Sequence, residues 1–345
     1  MNWRQRISIV LFTLVVLFFG RYVHRLFWAS NVSLDHDKVD VFIGSDPDFD
    51  AVLTALSPYI IRISDFKLLA KIKRLDKFPR SGRFVLNKEM NNREIIDLLR
   101  SGNTPVALKF NNQERIQNLA GSIARQIEPD SVTLLAAFRD PEFLKQAQVN
   151  ENQVLSLFIP NTYEVYWNTD ADRFRQRMLG EYHSFWNENR RRKAKAIGLS
   201  PLEVSALASI VQKESVQVSE RPTIAGVYLN RLKRNIPLQA DPTVIFAKKL
   251  LDGDFQQVIR RVLYKDLTLD SPYNTYKYSG LPPGPITMPD ISSIDAVLNA
   301  ESHRYYYFVA DPKRPGYHLF SKSLKEHNAK RAQYIKWIKA QGIKR

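Results

Sequence analysis

Residues 200–215 read SPLEVSALASIVQKES and place one acidic residue on the apolar face of a predicted helix. Ser200 and Glu203 match the capping box that begins many helices, with a proline at the first helical position. Four side chains then recur at spacings of three and four residues, so they share one face of the helix: Val204, Leu207, Val211 and Glu214. The pattern predicts a helix whose last turn points a carboxyl group toward the protein core.

The carboxyl group of Glu214 admits two interpretations. Against apolar side chains its charged form loses hydration and its pKa rises, which keeps part of it protonated near neutral pH. Such an acid is what cleavage of a glycosidic bond requires as a proton donor. The other interpretation is structural, because acids are common at helix ends and Glu214 could pair with Lys213 or Arg221.

Two later segments carry polar side chains that suit sugar binding. In LQADP (238–242), Asp241 is expected to be extended, because a residue before proline avoids the helical region. Gln239 and Asp241 would then lie on the same side of the chain. The segment YNTYKYSGLPPGPI (273–286) joins a Tyr/Asn/Thr cluster to a rigid Pro/Gly loop, and rings and amides on such loops suit N-acetylated sugars. Taken alone, Tyr273 is more often a core aromatic and Gln239 more often a surface amide.

The N-terminus carries an uncharged apolar stretch, ISIVLFTLVVLFFG (7–20). Extended to Trp28, a helix of 22 residues would be about 33 Å long, enough to cross a hydrocarbon core of about 30 Å. We therefore predict a cytoplasmic segment over 1–6, a transmembrane anchor over 7–28 and an extracytoplasmic remainder at the plasma (inner) membrane. A cleaved signal peptide is the alternative, although small residues before Ser30 are poorly supplied.

Composition excludes several chemistries. The 345 residues include no cysteine, which removes disulfides, thiolate catalysis and iron–sulfur clusters. The six histidines form no metal-binding motif, so no metal site is expected, and a glycine-poor, exported chain offers no cradle for a cofactor. The net charge of +16 permits a nucleic-acid-binding protein, but the apolar N-terminus argues against one. Anionic lipid and cell-wall carboxylates suit the same charge.

The order of predicted elements indicates an α+β fold. Strand-like residues 38–44 precede a strand–helix–strand unit, with strands near 83–86 and 106–110 and a helix that begins at Asn91 or Asn92. From Glu114 onward helical patterns dominate, and the basic segment 322–345 is predicted to be a docked amphipathic helix. We expect an accessory module over 38–111 and a mostly helical domain with a short sheet over 112–345.

Ordered motifs along the chain resemble the endolytic murein transglycosylases, the YceG-like or MltG-type family. They are ASIVQKES (208–215), ERPTIAGVYLNRL (220–232), LQADPTV (238–244), YNTY (273–276), GLPPGPI (280–286) and YYYFVAD (305–311). Residues 82–102 look like the small LysM-like module of the family. Two positions depart from its pattern: Gln212 stands where a Glu is frequent, which leaves Glu214 as the only acid of its motif, and Asn161 stands where an Asp is usual.

The resemblance implies an enzyme that cleaves the β-1,4 bond between N-acetylmuramic acid and N-acetylglucosamine in nascent glycan strands and closes a 1,6-anhydro ring without water. It implies that Glu214 is the general acid and base, and it implies a set of substrate-binding residues: Gln239, Asp241, Tyr273, Asn274 and Thr275. The expected partners are peptidoglycan strands, the membrane and peptidoglycan synthases or division proteins, without nucleic acid. A non-catalytic peptidoglycan-binding scaffold on the same fold is the alternative.

Overall fold

The computed structural model describes residues 3–341, so the predicted ends of the cytoplasmic segment (1–2) and of the basic segment (342–345) lie outside the described residues. Within residues 3–341 the chain is rich in helices and carries three two-stranded sheets. It divides into two compact units. The mixture agrees with the predicted α+β class.

The first unit comprises Met1–Leu108, Ala124–Pro129 and Thr162–Asp170. Its helices are α1 (Trp3–Phe27), α2 (Phe49–Leu56), α3 (Ile63–Ile72) and α4 (Asn92–Ser101). Most or all of each of four strands also belongs to it: β1 (Lys38–Ile43), β2 (Gly82–Asn87), β3 (Pro105–Phe110) and β4 (Asn161–Tyr166).

The pairing of these strands differs from a simple β-α-β unit. The order strand, helix, strand over β2, α4 and β3 is as predicted, and Asn91 and Glu94 form the capping box that begins α4. However, β2 pairs antiparallel with β1, whereas β3 pairs with β4. Because β2 and β3 lie in different sheets, the LysM-like character of residues 38–111 stays a prediction.

Helix α1 is long and apolar enough to span a membrane, and no other single helix within residues 3–341 is. Most of its side chains are exposed, but its last turn belongs to the folded first unit. Leu26 is 4% exposed and lies in the core of that unit. Arg25 Nε lies 3.0 Å from Asp65, and the Asn92 side chain donates to the Leu26 carbonyl at 2.9 Å. The end of α1 is therefore held by the first unit.

The second unit comprises Lys109–Ile123, Asp130–Asn161 and Ala171–Arg345. Its helices are α5 (Ile116–Ala124), α6 (Ser131–Arg139), α7 (Pro141–Ala147), α8 (Ala171–Phe185), α9 (Glu188–Ala196), α10 (Pro201–Glu214), α11 (Arg221–Lys233), α12 (Asp241–Asp252), α13 (Ile291–Leu298) and α14 (Leu324–Ala340). Strands β5 (Tyr307–Ala310) and β6 (His318–Ser321) form an antiparallel hairpin.

Helix α10 lies at the centre of the second unit. Its capping box is present as predicted: the Ser200 hydroxyl accepts from the Glu203 amide at 3.3 Å, and the Glu203 carboxylate accepts from the Ser200 amide at 2.7 Å. Every residue from Val204 to Val211 is buried, so the helix is enclosed on all faces rather than along one stripe. It packs against α11, α12 and α13. This enclosure fixes the direction in which its last residue, Glu214, points.

Candidate active site

A cavity of about 270 Å³ lies around Glu214 in the second unit. Helices α10, α11, α12 and α14, the β5–β6 hairpin and the loop before α13 supply its wall. The polar side chains that line it are Glu214, Tyr228, Arg231, Gln239, Asp241, Tyr276, Tyr307 and His327. Two acids and one guanidinium group therefore share a small space.

Glu214 is partly accessible through this cavity and is hydrogen-bonded to a tyrosine. The Tyr228 hydroxyl donates to Glu214 Oε1 at 2.6 Å. Burial raises the pKa of Glu214 to about 7; the hydrogen bond from Tyr228 works against this rise, and the negative charge of Asp241 adds to it. Near neutral pH, Glu214 can therefore both give and take a proton.

The structural interpretation of Glu214 as an ion-pair member finds no support in its neighbours. Lys213 Nζ lies 2.9 Å from Glu114, on another side of the helix. Arg221 Nη1 lies 2.9 Å from Asp290 at the start of α13. Both basic residues considered as partners of Glu214 are thus engaged elsewhere.

Helix α11 contributes two side chains to the site, at a spacing of three residues. Tyr228 is buried and packs edge-on against the Phe308 ring, with 5.9 Å between the ring centroids. Arg231 is also buried, and its guanidinium group donates to the Pro237 carbonyl at 2.9 Å, to the Tyr306 carbonyl at 2.9 Å and to Gln239 Oε1 at 2.7 Å. The arginine therefore joins the segment before α12 to the residue that precedes strand β5.

The segment that carries Gln239 and Asp241 has a different backbone from the one predicted. The expectation of an extended Asp241 was wrong, because Asp241 is the first residue of α12. A proline in the first turn is tolerated, since its missing N–H would have had no helical partner there. Gln239 adopts a left-handed backbone, with φ of 51°, that turns the chain into this helix. Both side chains nevertheless line the cavity, and their role in substrate binding stays a prediction.

The first three residues of the Tyr/Asn/Thr cluster are buried and do not line the cavity around Glu214. These residues are Tyr273, Asn274 and Thr275. The Thr275 carbonyl accepts from the Gln239 amide at 3.1 Å, and the Thr275 hydroxyl accepts from the Ala240 amide at 3.0 Å. Thr275 therefore holds the backbone on both sides of the left-handed residue.

Asn274 organises the loop that presents Tyr276. Its side-chain nitrogen donates to the Leu267 and Leu269 carbonyls at 3.0 and 2.9 Å, and its oxygen accepts from the Tyr276 amide at 3.0 Å. The Tyr276 hydroxyl in turn donates to Asp241 Oδ1 at 2.6 Å. Each acid of the site is thus oriented by one tyrosine hydroxyl.

Tyr273 belongs to a different environment. Its ring packs against Phe246 with 4.7 Å between centroids, and burial raises the pKa of its hydroxyl to about 12. It lines a second cavity of about 130 Å³. Asn161 is the exposed first residue of β4 and is likewise not among the residues that line the cavity around Glu214.

Several wall residues are not among the predicted site residues, although Tyr276 belongs to the predicted Tyr/Asn/Thr cluster: Tyr228, Arg231, Tyr276, Tyr307 and His327. A signal existed for two of them, since Tyr228 and Arg231 follow the buried Ile224 at spacings of four and three on one face of α11. For the others, no local pattern indicates that they approach Glu214. Within residues 3–341, no cluster of three or more His, Asp or Glu could hold a metal ion.

Comparison with known proteins agrees with this architecture. The YceG-like family matches residues 41–333. An endolytic murein transglycosylase of Bacillus subtilis (strain 168) is 32% identical over 316 residues, which cover 86% of this chain and 85% of that protein. A protein of the same name from Streptococcus pneumoniae serotype 2 (strain D39) is 26% identical over 305 residues, which cover 78% of this chain and 53% of that protein.

A solved structure is similar as well. The 2.6 Å crystal structure of a YceG-like protein from Listeria monocytogenes matches with a TM-score of 0.55 and 28% sequence identity. The match covers 85% of this chain and 99% of that chain. With a family match over most of its length and a relative above 30% identity, this chain belongs to the YceG-like family.

Proposed function

We propose that this protein is a membrane-anchored endolytic lytic transglycosylase that cleaves peptidoglycan strands. The Bacillus and Streptococcus relatives bear the name endolytic murein transglycosylase. One observation in this chain carries the proposal. The Glu214 side chain faces a cavity, the pKa of its carboxyl group is about 7, and it forms no ion pair among the described residues. A carboxyl group in this state suits proton transfer to a glycosidic oxygen.

The first step is protonation of the leaving group. Protonated Glu214 gives its proton to the oxygen that joins C1 of N-acetylmuramic acid to C4 of N-acetylglucosamine. The C1–O bond breaks with its electron pair on the departing oxygen, and positive charge develops on the muramyl ring. The negative charge of Asp241, held by the Tyr276 hydroxyl, stabilises this positive charge.

The second step closes the anhydro ring. Glu214, now a carboxylate, takes the proton of the C6 hydroxyl of the same muramyl residue while O6 bonds to C1. This returns Glu214 to its protonated state and leaves a 1,6-anhydro end. Because the nucleophile is part of the substrate, no second carboxylate needs to activate water. Tyr228 keeps the Glu214 carboxylate oriented through both steps.

The anchor places this chemistry outside the cytoplasm. Helix α1 spans the plasma membrane once, and the rest of the chain reaches the glycan strands on the outer side, where peptidoglycan synthases and division proteins are its expected neighbours. Retention of the helix is supported by the core position of Leu26 and the ion pair of Arg25 with Asp65, since removal of residues before Ser30 would leave Asp65 without its Arg25 partner.

The test uses the full chain in detergent with purified peptidoglycan. Wild-type protein should release muropeptides with 1,6-anhydromuramyl ends, identified by mass spectrometry. Glu214→Gln should lower the rate at least about a hundredfold, because the amide cannot exchange the proton. Glu203→Gln is the matched control on the same helix and should retain activity, since a glutamine also completes a capping box.

Two outcomes separate the proposal from its alternative. Equal release of anhydro ends by wild type and Glu214→Gln would remove Glu214 as the acid. Binding to peptidoglycan by both proteins without any cleavage would instead identify a scaffold protein.

A further inference from the structure

The orientation of one amide in the cavity is determined by its neighbour. Arg231 Nη2 donates to Gln239 Oε1 at 2.7 Å. A guanidinium group has donors only, so the reversed amide would bring two donors together. The oxygen of Gln239 must therefore face Arg231, and its NH₂ group points away from the guanidinium group. No residue among 3–341 accepts a hydrogen bond from that NH₂ group, which leaves it available to a ligand in the cavity.

The backbone keeps this amide in place before any ligand arrives. Gln239 has a φ of 51°, a left-handed conformation that costs a non-glycine residue on the order of 1 kcal/mol. Thr275 compensates by accepting hydrogen bonds from the amides of Gln239 and Ala240. Strain held in this way at a cavity wall indicates a side chain whose position matters to function.

His327 supplies a second donor to the same cavity. Burial and the positive charges of Arg331 and Arg231 lower its pKa, so its ring is neutral and carries one proton. Its Nδ1 atom is buried and finds no hydrogen-bond partner among residues 3–341. The ring nitrogen that a ligand in the cavity can reach is therefore Nε2, which is a donor in the tautomer that carries the proton there. Its ring stacks on the Tyr307 ring, with 5.4 Å between the ring centroids, which fixes its orientation.

We propose that Gln239, oriented by Arg231, is the specificity-determining residue of this site: with His327 it forms a donor edge that receives the carbonyl oxygen of an N-acyl group on the amino sugar. The enzyme therefore prefers N-acetylated over de-N-acetylated glycan. This inference rests on the proposed function. A neutral acyl oxygen fits better than a carboxylate, because Glu214 and Asp241 in the same cavity repel an anion. A de-N-acetylated sugar offers an ammonium group, which the donors of Gln239 and His327 cannot bind.

The test replaces the hydrogen-bond donor of residue 239 that points away from Arg231 with an acceptor. Gln239→Glu keeps the size of the side chain and its contact with Arg231, but replaces the outward amide donor by a carboxylate oxygen. The full chain in detergent is assayed on N-acetylated peptidoglycan and on the same material after chemical de-N-acetylation. The ratio of kcat/KM for the acetylated to the deacetylated substrate should fall about tenfold or more, the effect of one lost hydrogen bond. Gln256→Glu, the same change at an exposed position away from the cavity, should leave the ratio unaltered.

A second variant keeps the test decisive if Gln239→Glu does not fold. Gln239→Met keeps the shape without the amide, and should lower kcat/KM on the acetylated substrate without improving cleavage of the deacetylated one. If Gln239→Glu leaves the substrate ratio at the wild-type value, or lowers both rates equally, the specificity role is overturned while the proposed function stands. If wild type cleaves neither substrate, the proposed function itself fails.

Discussion

At the scale of the residue, protonation of Glu214 is coupled to the stability of the fold. Its pKa in the folded protein is about 7, against an ordinary value of 4.5. Between these values the folded state binds more protons than the unfolded state, so the free energy of unfolding decreases as pH rises. The contribution of a protonated Glu214 is complete below about pH 4.5 and is lost as pH passes about 7. The loss is about 3 kcal/mol at most.

This coupling predicts that Glu214→Gln stabilises the protein at alkaline pH. The neutral amide resembles the protonated acid and avoids the burial of a charge, so the Tm of the variant should exceed that of wild type at pH 8 and approach it at pH 5. Thermal unfolding of the full chain in detergent, followed by circular dichroism at both pH values, measures the difference. Glu203→Gln should show no such pH-dependent gain. A Tm difference for Glu214→Gln that is the same at both pH values would contradict a raised pKa.

At the scale of the element, hydrogen bonds link the loop around Asn274, the turn at Gln239 and the first residue of α12. The loop around Asn274 and Thr275 holds the turn at Gln239, and Tyr276 from the same loop holds Asp241 at the beginning of α12. Asn274 and Thr275, which the resemblance implies bind substrate, form hydrogen bonds to other residues here, and their contact with substrate stays a prediction. The Tyr/Asn/Thr cluster and the segment LQADP (238–242) are coupled, because Thr275 accepts hydrogen bonds from the backbone of that segment and Tyr276 donates one to Asp241.

We therefore expect Asn274→Ala to be destabilising. It leaves the Leu267 and Leu269 carbonyls and the Tyr276 amide without their partner, which should cost about 2–4 kcal/mol. Urea unfolding of the full chain in detergent gives this value, and the activity should decrease because Tyr276 no longer holds Asp241. Thr275→Ser keeps the hydroxyl group and serves as the mild control in the same loop. Wild-type stability of Asn274→Ala would show that these hydrogen bonds contribute nothing.

At the scale of the whole molecule, the N-terminal helix is long and apolar enough to span a membrane, and its last turn is a structural part of the first unit. Leu26 in the core and the ion pair between Arg25 and Asp65 tie its last turn to α3 and α4. A signal peptidase would have to cut beside this packed turn. We therefore expect the proposed anchor to stay attached.

Retention is open to direct measurement. The full chain isolated from membranes should keep its N-terminal helix in intact-mass analysis and resist extraction at alkaline pH. Phe27→Ala, which places alanines at positions 27 and 29, creates the small-residue pattern of a cleavage site and is the positive control. A wild-type chain that begins at Ser30 would show that the segment is a cleaved signal.

Patterns between residues close in sequence predicted much of the fold, whereas features that depend on distant residues were not predicted. The capping box of Ser200 and Glu203 and the apolar repeat after it involve residues three or four positions apart, so α10 and the direction of Glu214 were predictable. The helical start at Asp241 was not, because the preference of a residue before proline is weak and the left-handed turn at Gln239 is held by Thr275. The pairing of β3 with β4 joins segments some 50 residues apart and left no local signal.

What the sequence by itself determined is the apolar span at the N-terminus, the helical periodicity and the presence of one acid on a core-facing stripe. These depend on neighbours along the chain. Only the tertiary structure decided that Tyr228, Asp241 and Tyr276 surround that acid, and that Arg231 turns the Gln239 amide outward. These groups come together because α10, α11, α12 and their loops pack around one enclosed helix, and that packing depends on the shapes of surfaces distant in sequence.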